Sequence, residues 1–231
     1  MREICIVGGD DRVEYAVQAL RDAGYDAKRT TLAQASEGAR QGSVVVGASL
    51  PLEHGGLDYL KDEAFLYENA RITAEGALML LGTHTEGTVF GMDVAVIGMG
   101  RIAECLCPLL RALGARVTVY ARRPEVLARA RAMGAQTVRF QEALPTSAVQ
   151  HQVICNTVPH VLYSRELLAA ARRDVLLLEL ASLPGGFDAD AVHALGLRYV
   201  NGQGLPGKYA PRAAGELIAR YAIENVKGER V

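Results

Sequence analysis

The sequence has no excess of charge of either sign. Its 231 residues include 25 Lys and Arg against 26 Asp and Glu, which leaves a formal net charge of −1 at pH 7. Proteins that bind nucleic acid neutralise phosphates with clustered cations, so this balance predicts no nucleic-acid partner. Blocks of like charge, low-complexity tracts and repeats of fixed period are missing too, which argues against charged tails and repeat architectures.

Long apolar runs are also missing. None approaches the roughly 18 consecutive residues that a membrane helix requires. The first residues lead directly into a strand-like segment rather than into the longer apolar stretch of a secretory signal. We therefore expect a soluble, cytoplasmic protein with no membrane partner.

Cysteine is scarce, and its spacing matches no disulfide or redox motif. The four cysteines are Cys5, Cys105, Cys107 and Cys155, and none forms a C-x-x-C pair. Three of them lie in apolar runs, where cysteine behaves as a small apolar side chain. The histidines are not at the spacing of metal ligands. The sequence predicts structural thiols in a reducing compartment and no metal site.

The composition is that of a chain that buries a core, with 50% apolar and 22% charged residues. Strand-like segments alternate with helical patterns, which predicts βαβ units around a parallel sheet. We predict an α/β fold: a Rossmann-type doubly wound parallel sheet with a second, smaller flavodoxin/Rossmann-like N-terminal domain. The length fits one full domain and one reduced one.

The predicted boundaries divide the chain into four parts. They are a reduced N-terminal α/β domain on the substrate side (1–72), a linking helix (73–90), a cofactor-binding Rossmann domain (91–210) and a C-terminal helix (211–231). In detail, Thr73 is suited to the N-cap of a helix over 73–83. We expect a short strand over 64–67 and loops over 52–60 and 202–207.

The strongest local motif is Gly98-x-Gly100-x-x-Ala103, which follows a strand and opens a helix. Gly98 allows a tight turn, Gly100 lets the backbone approach a pyrophosphate, and Ala103 permits close packing of helix on strand. The helix N-terminus then offers free N–H groups to the phosphates. This pattern, in this context, predicts a dinucleotide site.

The end of the next strand distinguishes the two nicotinamide cofactors. An NAD site usually places Asp or Glu there to accept hydrogen bonds from the ribose 2′-hydroxyl. This sequence instead has Arg122 and Arg123, with no carboxylate before Glu125. Paired guanidinium groups suit a 2′-phosphate. We therefore predict NADP(H) in preference to NAD(H), the alternative being that both arginines are solvated loop charges.

Several further segments resemble the family of the dipicolinate synthase A subunit. The resemblance includes 94–123 and the N-terminal Gly8-Gly9-Asp10. The further segments are Thr73-Ala74-Glu75-Gly76-Ala77-Leu78-Met79 with His84-Thr85, Cys155-Asn156-Thr157-Val158-Pro159, Leu178-Glu179-Leu180-Ala181-Ser182-Leu183-Pro184-Gly185-Gly186, and Gly204-Leu205-Pro206-Gly207-Lys208-Tyr209-Ala210-Pro211. The stretch over 12–67 is shorter than in the family, so the first domain is reduced.

The resemblance implies an activity and partners. It implies NADP-dependent oxidation of dihydrodipicolinate to the aromatic dipicolinate, a flavoprotein-like B subunit, and a role in spore formers (sporulation and dipicolinic acid biosynthesis). We further expect a homo-oligomer. Two alternatives remain: another NADP-dependent dehydrogenase of a small carboxylate, and a non-catalytic partner protein that binds NADP(H).

The loops at the carboxyl ends of the strands supply the candidate site residues. The predicted cofactor contacts are Gly98, Met99, Gly100, Arg101, Ile102, Tyr120, Arg122, Arg123, Thr157, Val158, Pro159, Leu180 and Ala181. The predicted substrate contacts are Thr73, Ser182, Gly185, Gly186, Leu205, Pro206 and Gly207.

Hydride transfer also needs a route for one proton. The candidate proton acceptors are His84, Glu75, Glu179 and Tyr209, and Lys208 is a candidate cation for a carboxylate. Glu179 lies inside an apolar strand, so a buried position would require it to be paired or protonated.

Overall fold

The computed structural model describes residues 3–40, 42–50 and 56–228. Residue contacts group the chain into two compact units. The first contains Met1–Ile72 together with Pro206–Val231, and the second contains Thr73–Leu205. Both are α/β units with parallel strands, so the predicted fold class is confirmed.

The first unit is built on a four-stranded sheet with the order β2-β1-β3-β4. Its elements up to the third helix are β1 (Ile4–Val7), α1 (Asp11–Asp22), β2 (Ala27–Thr30), α2 (Leu32–Arg40), β3 (Val44–Gly47) and β4 (Leu57–Asp58), followed by a 3-10 turn at Tyr59–Lys61. Neither β2 nor α2 was predicted from the sequence, because the middle residues of β2, Lys28 and Arg29, are exposed and break the apolar pattern. The predicted loop over 52–60 was wrong for residues 57–60, and 52–55 lie outside the described residues.

The third helix, α3 (Glu63–His84), begins well before the predicted start at residue 73. The Asp62 side chain accepts a hydrogen bond from the Phe65 N–H at 2.7 Å, as an N-capping residue does. Phe65 and Ile72 are buried in the core of the first unit. The predicted strand over 64–67 was therefore wrong. Thr73 is a buried residue inside the helix and not its N-cap.

The second unit contains a six-stranded parallel sheet with the order β10-β9-β8-β5-β6-β7, the doubly wound order with its switch point between β5 and β8. Its elements are β5 (Asp93–Ile97), α4 (Arg101–Ala112), β6 (Arg116–Ala121), α5 (Pro124–Ala132), β7 (Gln136–Arg139), β8 (Val153–Asn156), α6 (Arg165–Ala169), β9 (Leu176–Glu179), α7 (Ala189–Ala194) and β10 (Arg198–Asn201). The short helix α8 (Leu205–Tyr209) begins at the last residue of this unit, and its other residues belong to the first unit. Alternate residues of the central strands enter two apolar cores, one on each face of the sheet. The predicted loop over 202–207 ends in α8.

The last helix, α9 (Pro211–Gly228), belongs to the first unit. It packs against α1 at Gly215, where an added Cβ would lie 2.5 Å from the Arg12 carbonyl oxygen and 2.6 Å from Tyr15 Cβ. The two helices therefore approach closely because residue 215 has no side chain. The C-terminal helix is thus part of the N-terminal core and not a separate region.

This contact gives a stability prediction. Gly215→Ala forces the two helix backbones apart, and overpacking of this kind costs about 1–3 kcal/mol. Gly82→Ala in α3 is the control, because an added Cβ there meets nothing within 4 Å. Urea unfolding should show Gly215→Ala less stable than wild type and Gly82→Ala unchanged or slightly more stable. Equal stabilities of the two variants would contradict the close packing.

Within 3–40, 42–50 and 56–228, no helix is both long enough and apolar enough to cross a membrane. The same residues contain no group of three or more His, Cys, Asp or Glu side chains placed to hold a metal ion.

Candidate dinucleotide-binding site

The turn after β5 requires glycine at its first position. Gly98 has φ +88°, a conformation that side-chain-bearing residues rarely adopt. An added Cβ would lie 2.7 Å from Val158 Cγ2 and 2.8 Å from Thr157 Oγ1. The Gly98 N–H donates to the Tyr120 carbonyl at 2.9 Å, which ties the turn to β6. Both conformation and packing therefore exclude a side chain at this point.

Gly100 is placed differently. It is the N-cap of α4, with extended φ −91° and ψ −171° and no side-chain capping hydrogen bond. An added Cβ would meet nothing within 4 Å, so protein packing does not demand glycine here. Ala103, one turn later, is fully buried. The helix N-terminus thus presents N–H groups beside open space, an arrangement that suits a phosphate.

A cavity of about 520 Å³ extends from this turn toward the ends of β6 and β7. Its lining residues are Gly98, Met99, Gly100, Tyr120, Ala121, Arg122, Arg123, Val126, Phe140, Val158, His160 and Leu162. In the doubly wound fold the β5–β7 half receives one mononucleotide and the β8–β10 half the other. The cavity lies in the β5–β7 half, and its mixed apolar and cationic lining fits an adenosine carrying a phosphate.

The side chain of Tyr120 is directed into the core. It is 1% exposed, and its hydroxyl lies 2.9 Å from His151 Nε2 and donates to Ser147 Oγ at 3.3 Å. Burial raises the pKa of this phenol. The predicted contact of Tyr120 with a cofactor is therefore limited to its backbone.

Three arginines meet near the ends of β6 and β7. Arg122 and Arg123 line the cavity, and the Arg139 Nε–H donates to the Arg122 carbonyl at 3.2 Å. Arg123 Nε lies 3.6 Å from Glu125 Oε1, but both side chains are more than 60% exposed, so that ion pair is weak. Arg139 was not among the residues predicted from the sequence. Its position at the carboxyl end of a strand, where the ligands of a parallel sheet bind, is the signal that could have identified it.

The β8 and β9 loops are organised by two buried polar residues, Asn156 and Glu179. The Asn156 side chain donates to Glu179 Oε1 at 2.7 Å. Glu179 also accepts from the Ala181 N–H at 3.0 Å and the Gly186 N–H at 2.7 Å. Burial raises the pKa of Glu179, and the hydrogen bonds from Gly186, Asn156 and Ala181 oppose that rise. Glu179 is thus paired, as its position in an apolar strand required.

The remaining predicted contacts occupy varied environments. Arg101, Pro159 and Ser182 are exposed, Ile102, Thr157 and Val158 are half-buried, and Met99, Leu180, Ala181, Gly185 and Gly186 are buried. Gly185 and Gly186 pack on polar side chains, because an added Cβ would lie 2.7 Å from Glu179 Oε2 and 2.3 Å from Asn156 Nδ2, respectively. These two glycines therefore shape the loop, and their contact with a substrate stays a prediction.

The geometry argues against a catalytic role for His84. It is exposed at the C-terminus of α3, and its carbonyl accepts a hydrogen bond from Arg198, the first residue of β10. That position is at the amino ends of the strands, whereas Gly98 follows the carboxyl end of β5. Ligands of doubly wound sheets bind at the carboxyl ends.

The other catalytic and substrate candidates lie on α3 and α8. Glu75 is an exposed residue of α3, close in sequence to the buried Thr73. Leu205 is buried in the core of the second unit. Pro206, Gly207 and the exposed Lys208 belong to the first unit.

Comparison with known proteins places these features in a family. Residues 68–182 match the family described as D-isomer specific 2-hydroxyacid dehydrogenase, NAD binding domain. The dipicolinate synthase A subunit of Bacillus subtilis (strain 168) is 35% identical over 159 residues, which are 69% of this chain and 53% of that protein. The alignment thus spans about half the length of this curated relative.

Solved structures share the fold. The dipicolinate synthase A subunit from Bacillus halodurans superimposes with a TM-score of 0.82 at 22% identity, covering 97% of both chains. D-lactate dehydrogenase from Escherichia coli gives a TM-score of 0.69 at 16% identity, covering 99% of this chain and 98% of that one. The predicted family likeness is confirmed: the chain is similar to the dipicolinate synthase A subunit, and residues 68–182 carry a nicotinamide-dinucleotide-binding domain of the D-isomer specific 2-hydroxyacid dehydrogenase type.

Proposed function

We propose that this protein is an NADP-dependent dehydrogenase that oxidises dihydrodipicolinate to dipicolinate. The observation that carries the proposal is the turn at Gly98 and Gly100, which leaves open space above the N-terminus of α4. That space fits a pyrophosphate, since the backbone N–H groups there can donate to it. The substrate assignment rests on the 35% identity to the dipicolinate synthase A subunit.

The preference for NADP rests on the arginines beside the cavity. Arg122 and Arg123 line it, and Arg139 holds the Arg122 carbonyl. Guanidinium groups bind a phosphate with paired, charge-assisted hydrogen bonds. The nearest carboxylate after the end of β6 is that of Glu125, which lies in the first turn of α5. It is therefore not at the strand end, where a ribose 2′-hydroxyl would be bound.

In the proposed reaction each substrate molecule loses one hydride and one proton and becomes aromatic. When bound, the nicotinamide accepts the hydride, and the balance is dihydrodipicolinate plus NADP⁺ giving dipicolinate, NADPH and H⁺. The chain's own contribution is to seat the pyrophosphate on α4 and to hold the loops after β8 and β9 in place. Positioning of this kind is the main task of a protein in cofactor-dependent hydride transfer.

A specific observation favours the non-catalytic alternative as the second candidate. His84 lies at the opposite end of the strands, and the Glu179 carboxylate already accepts hydrogen bonds from Asn156, Ala181 and Gly186. Neither is therefore placed as the base of the reaction, which leaves Glu75 and Tyr209, both exposed, as candidates. If aromatisation releases its proton directly to water, no dedicated base is needed. If a base is needed and neither Glu75 nor Tyr209 supplies it, the chain acts as an NADP(H)-binding partner of a B subunit.

A turnover assay separates these functions. We expect NADPH absorbance to appear when the purified protein is given dihydrodipicolinate and NADP⁺, at a rate well above that with NAD⁺. A flavoprotein-like B subunit should be added in a parallel reaction, since the relative is one component of a synthase. Tight NADP(H) binding without turnover, alone or with that partner, would contradict the enzyme and support the binding role. Turnover of a different small carboxylate would reject only the substrate.

A further inference from the structure

The last residues of β8 and β9 are neighbours across the sheet. Asn156 and Glu179 are paired in the parallel register of these strands, and they are 0% and 1% exposed. The loops that follow them, 157–159 and 181–186, leave the carboxyl edge of the β8–β10 half. In a doubly wound sheet this half receives the second mononucleotide of a dinucleotide.

Each residue of the pair also fixes the loop that follows it. Asn156 bonds Val158 in both directions: its side-chain amide donates to the Val158 carbonyl at 2.9 Å, and its side-chain oxygen accepts from the Val158 N–H at 3.3 Å. Glu179 accepts from the N–H groups at the two ends of its loop, Ala181 and Gly186. One hydrogen bond between the two side chains therefore links two separate loops.

Stability alone does not account for such a pair. Burying a carboxylate carries a large desolvation cost, and apolar residues of similar volume are often at least as stabilising. The neighbouring residues of β9 are leucines, so an apolar residue at position 179 would extend the existing core. The polar pair, unlike a leucine, fixes the positions of the backbone N–H and C=O groups to which it is hydrogen-bonded.

We propose that Asn156 and Glu179 are positioning residues that hold loops 157–159 and 181–186 in the shape that receives the nicotinamide half of the dinucleotide. This inference rests on the proposed function. It predicts that disrupting the pair weakens the grip on the nicotinamide mononucleotide half while leaving the adenosine half, bound around β5–β7, unaffected. The two halves can be distinguished with a ligand fragment.

The test compares Glu179→Gln with wild type by isothermal titration calorimetry. In this variant an NH₂ group replaces one carboxylate oxygen and faces N–H donors. The two ligands are NADP⁺ and adenosine 2′,5′-bisphosphate, a fragment that lacks the whole nicotinamide mononucleotide half. We expect the Kd for NADP⁺ to rise at least about tenfold, because charge-assisted hydrogen bonds that hold both loops are lost, and the Kd for the fragment to stay within about twofold. Glu166→Gln, which alters an exposed carboxylate of α6, is the matched control and should change neither.

A second readout follows the loops directly. Hydrogen exchange at the amides of Ala181 and Gly186 should be faster in Glu179→Gln than in wild type, with exchange in β5 unchanged. If Glu179→Gln does not fold, Asn156→Ser is the substitute variant. It removes the link between the side chains while keeping the Glu179 carboxylate, and the same pair of ligands should show the same selective loss.

The outcomes separate the two proposals. If wild type binds neither NADP⁺ nor the fragment, the proposed function is wrong and this inference falls with it. If wild type binds both and the variants bind both equally well, only the positioning role is overturned. An equal loss of both ligands together with a lower unfolding temperature would show a general structural role and would also overturn it.

Discussion

Gly100→Ala is expected to weaken dinucleotide binding strongly while leaving the fold intact. Its φ and ψ suit alanine, and an added Cβ meets no protein atom within 4 Å. The methyl group would instead occupy the space in which a pyrophosphate approaches the backbone. We expect the Kd for NADP⁺ to rise about 100-fold, which corresponds to about 2.7 kcal/mol, with an unchanged unfolding temperature.

Gly98→Ala provides the contrast within the same turn. Its φ of +88° and its contacts with Thr157 and Val158 make any side chain strained, at about 1–2 kcal/mol for the backbone conformation alone. This variant should therefore lose both stability and binding. Circular dichroism with thermal unfolding, followed by titration with NADP⁺, measures both. Wild-type affinity in Gly100→Ala would show that no phosphate lies against this turn.

Replacing the cavity arginines should reverse the cofactor preference. The double variant Arg122→Asp and Arg123→Ser removes two cations from the cavity and introduces an acceptor for a ribose 2′-hydroxyl. We expect the ratio of the NAD⁺ Kd to the NADP⁺ Kd to fall about 100-fold, since each charged hydrogen bond contributes about 1.5–3 kcal/mol and exposure reduces that. The difference should shrink at high salt, because screening weakens exposed charges.

Arg131→Asp is the control for a change of charge. This residue is on α5, the helix that follows Arg122 and Arg123. Its guanidinium donates to Thr137 Oγ1 at 3.0 Å, and it does not line the cavity. The ratio of the NAD⁺ Kd to the NADP⁺ Kd should stay within about threefold of the wild-type value, because Arg131→Asp acts on the site only through long-range electrostatics. The ratio for Arg139→Gln should lie between those of the two other variants, because this substitution loosens the Arg122 loop without altering the residues that line the cavity. An unchanged ratio in the double variant would mean that these arginines are solvated loop charges.

Features that depend on residues close together in the sequence could be predicted from the sequence alone. The turn of Gly98, Gly100 and Ala103 is recognisable because three small residues at fixed spacing satisfy a local requirement of one strand, one turn and one helix. The parallel β5–β6 pair and the doubly wound fold followed from alternating apolar segments. The family likeness was equally visible, since it lies in short motifs that keep their order along the chain.

Contacts between residues that are far apart in the sequence are seen only in the folded structure. Asn156 and Glu179 are 23 positions apart, and their contact depends on the register of β8 and β9, which no local pattern encodes. The same applies to Arg139 beside Arg122 and to α9, which joins the first unit through Gly215. His84 precedes β5 in the sequence. Because β5 runs away from it, His84 lies at the amino edge of the sheet and not at the edge of the Gly98 turn. Local spacing specifies backbone conformation, whereas the grouping of side chains into a site depends on long-range packing.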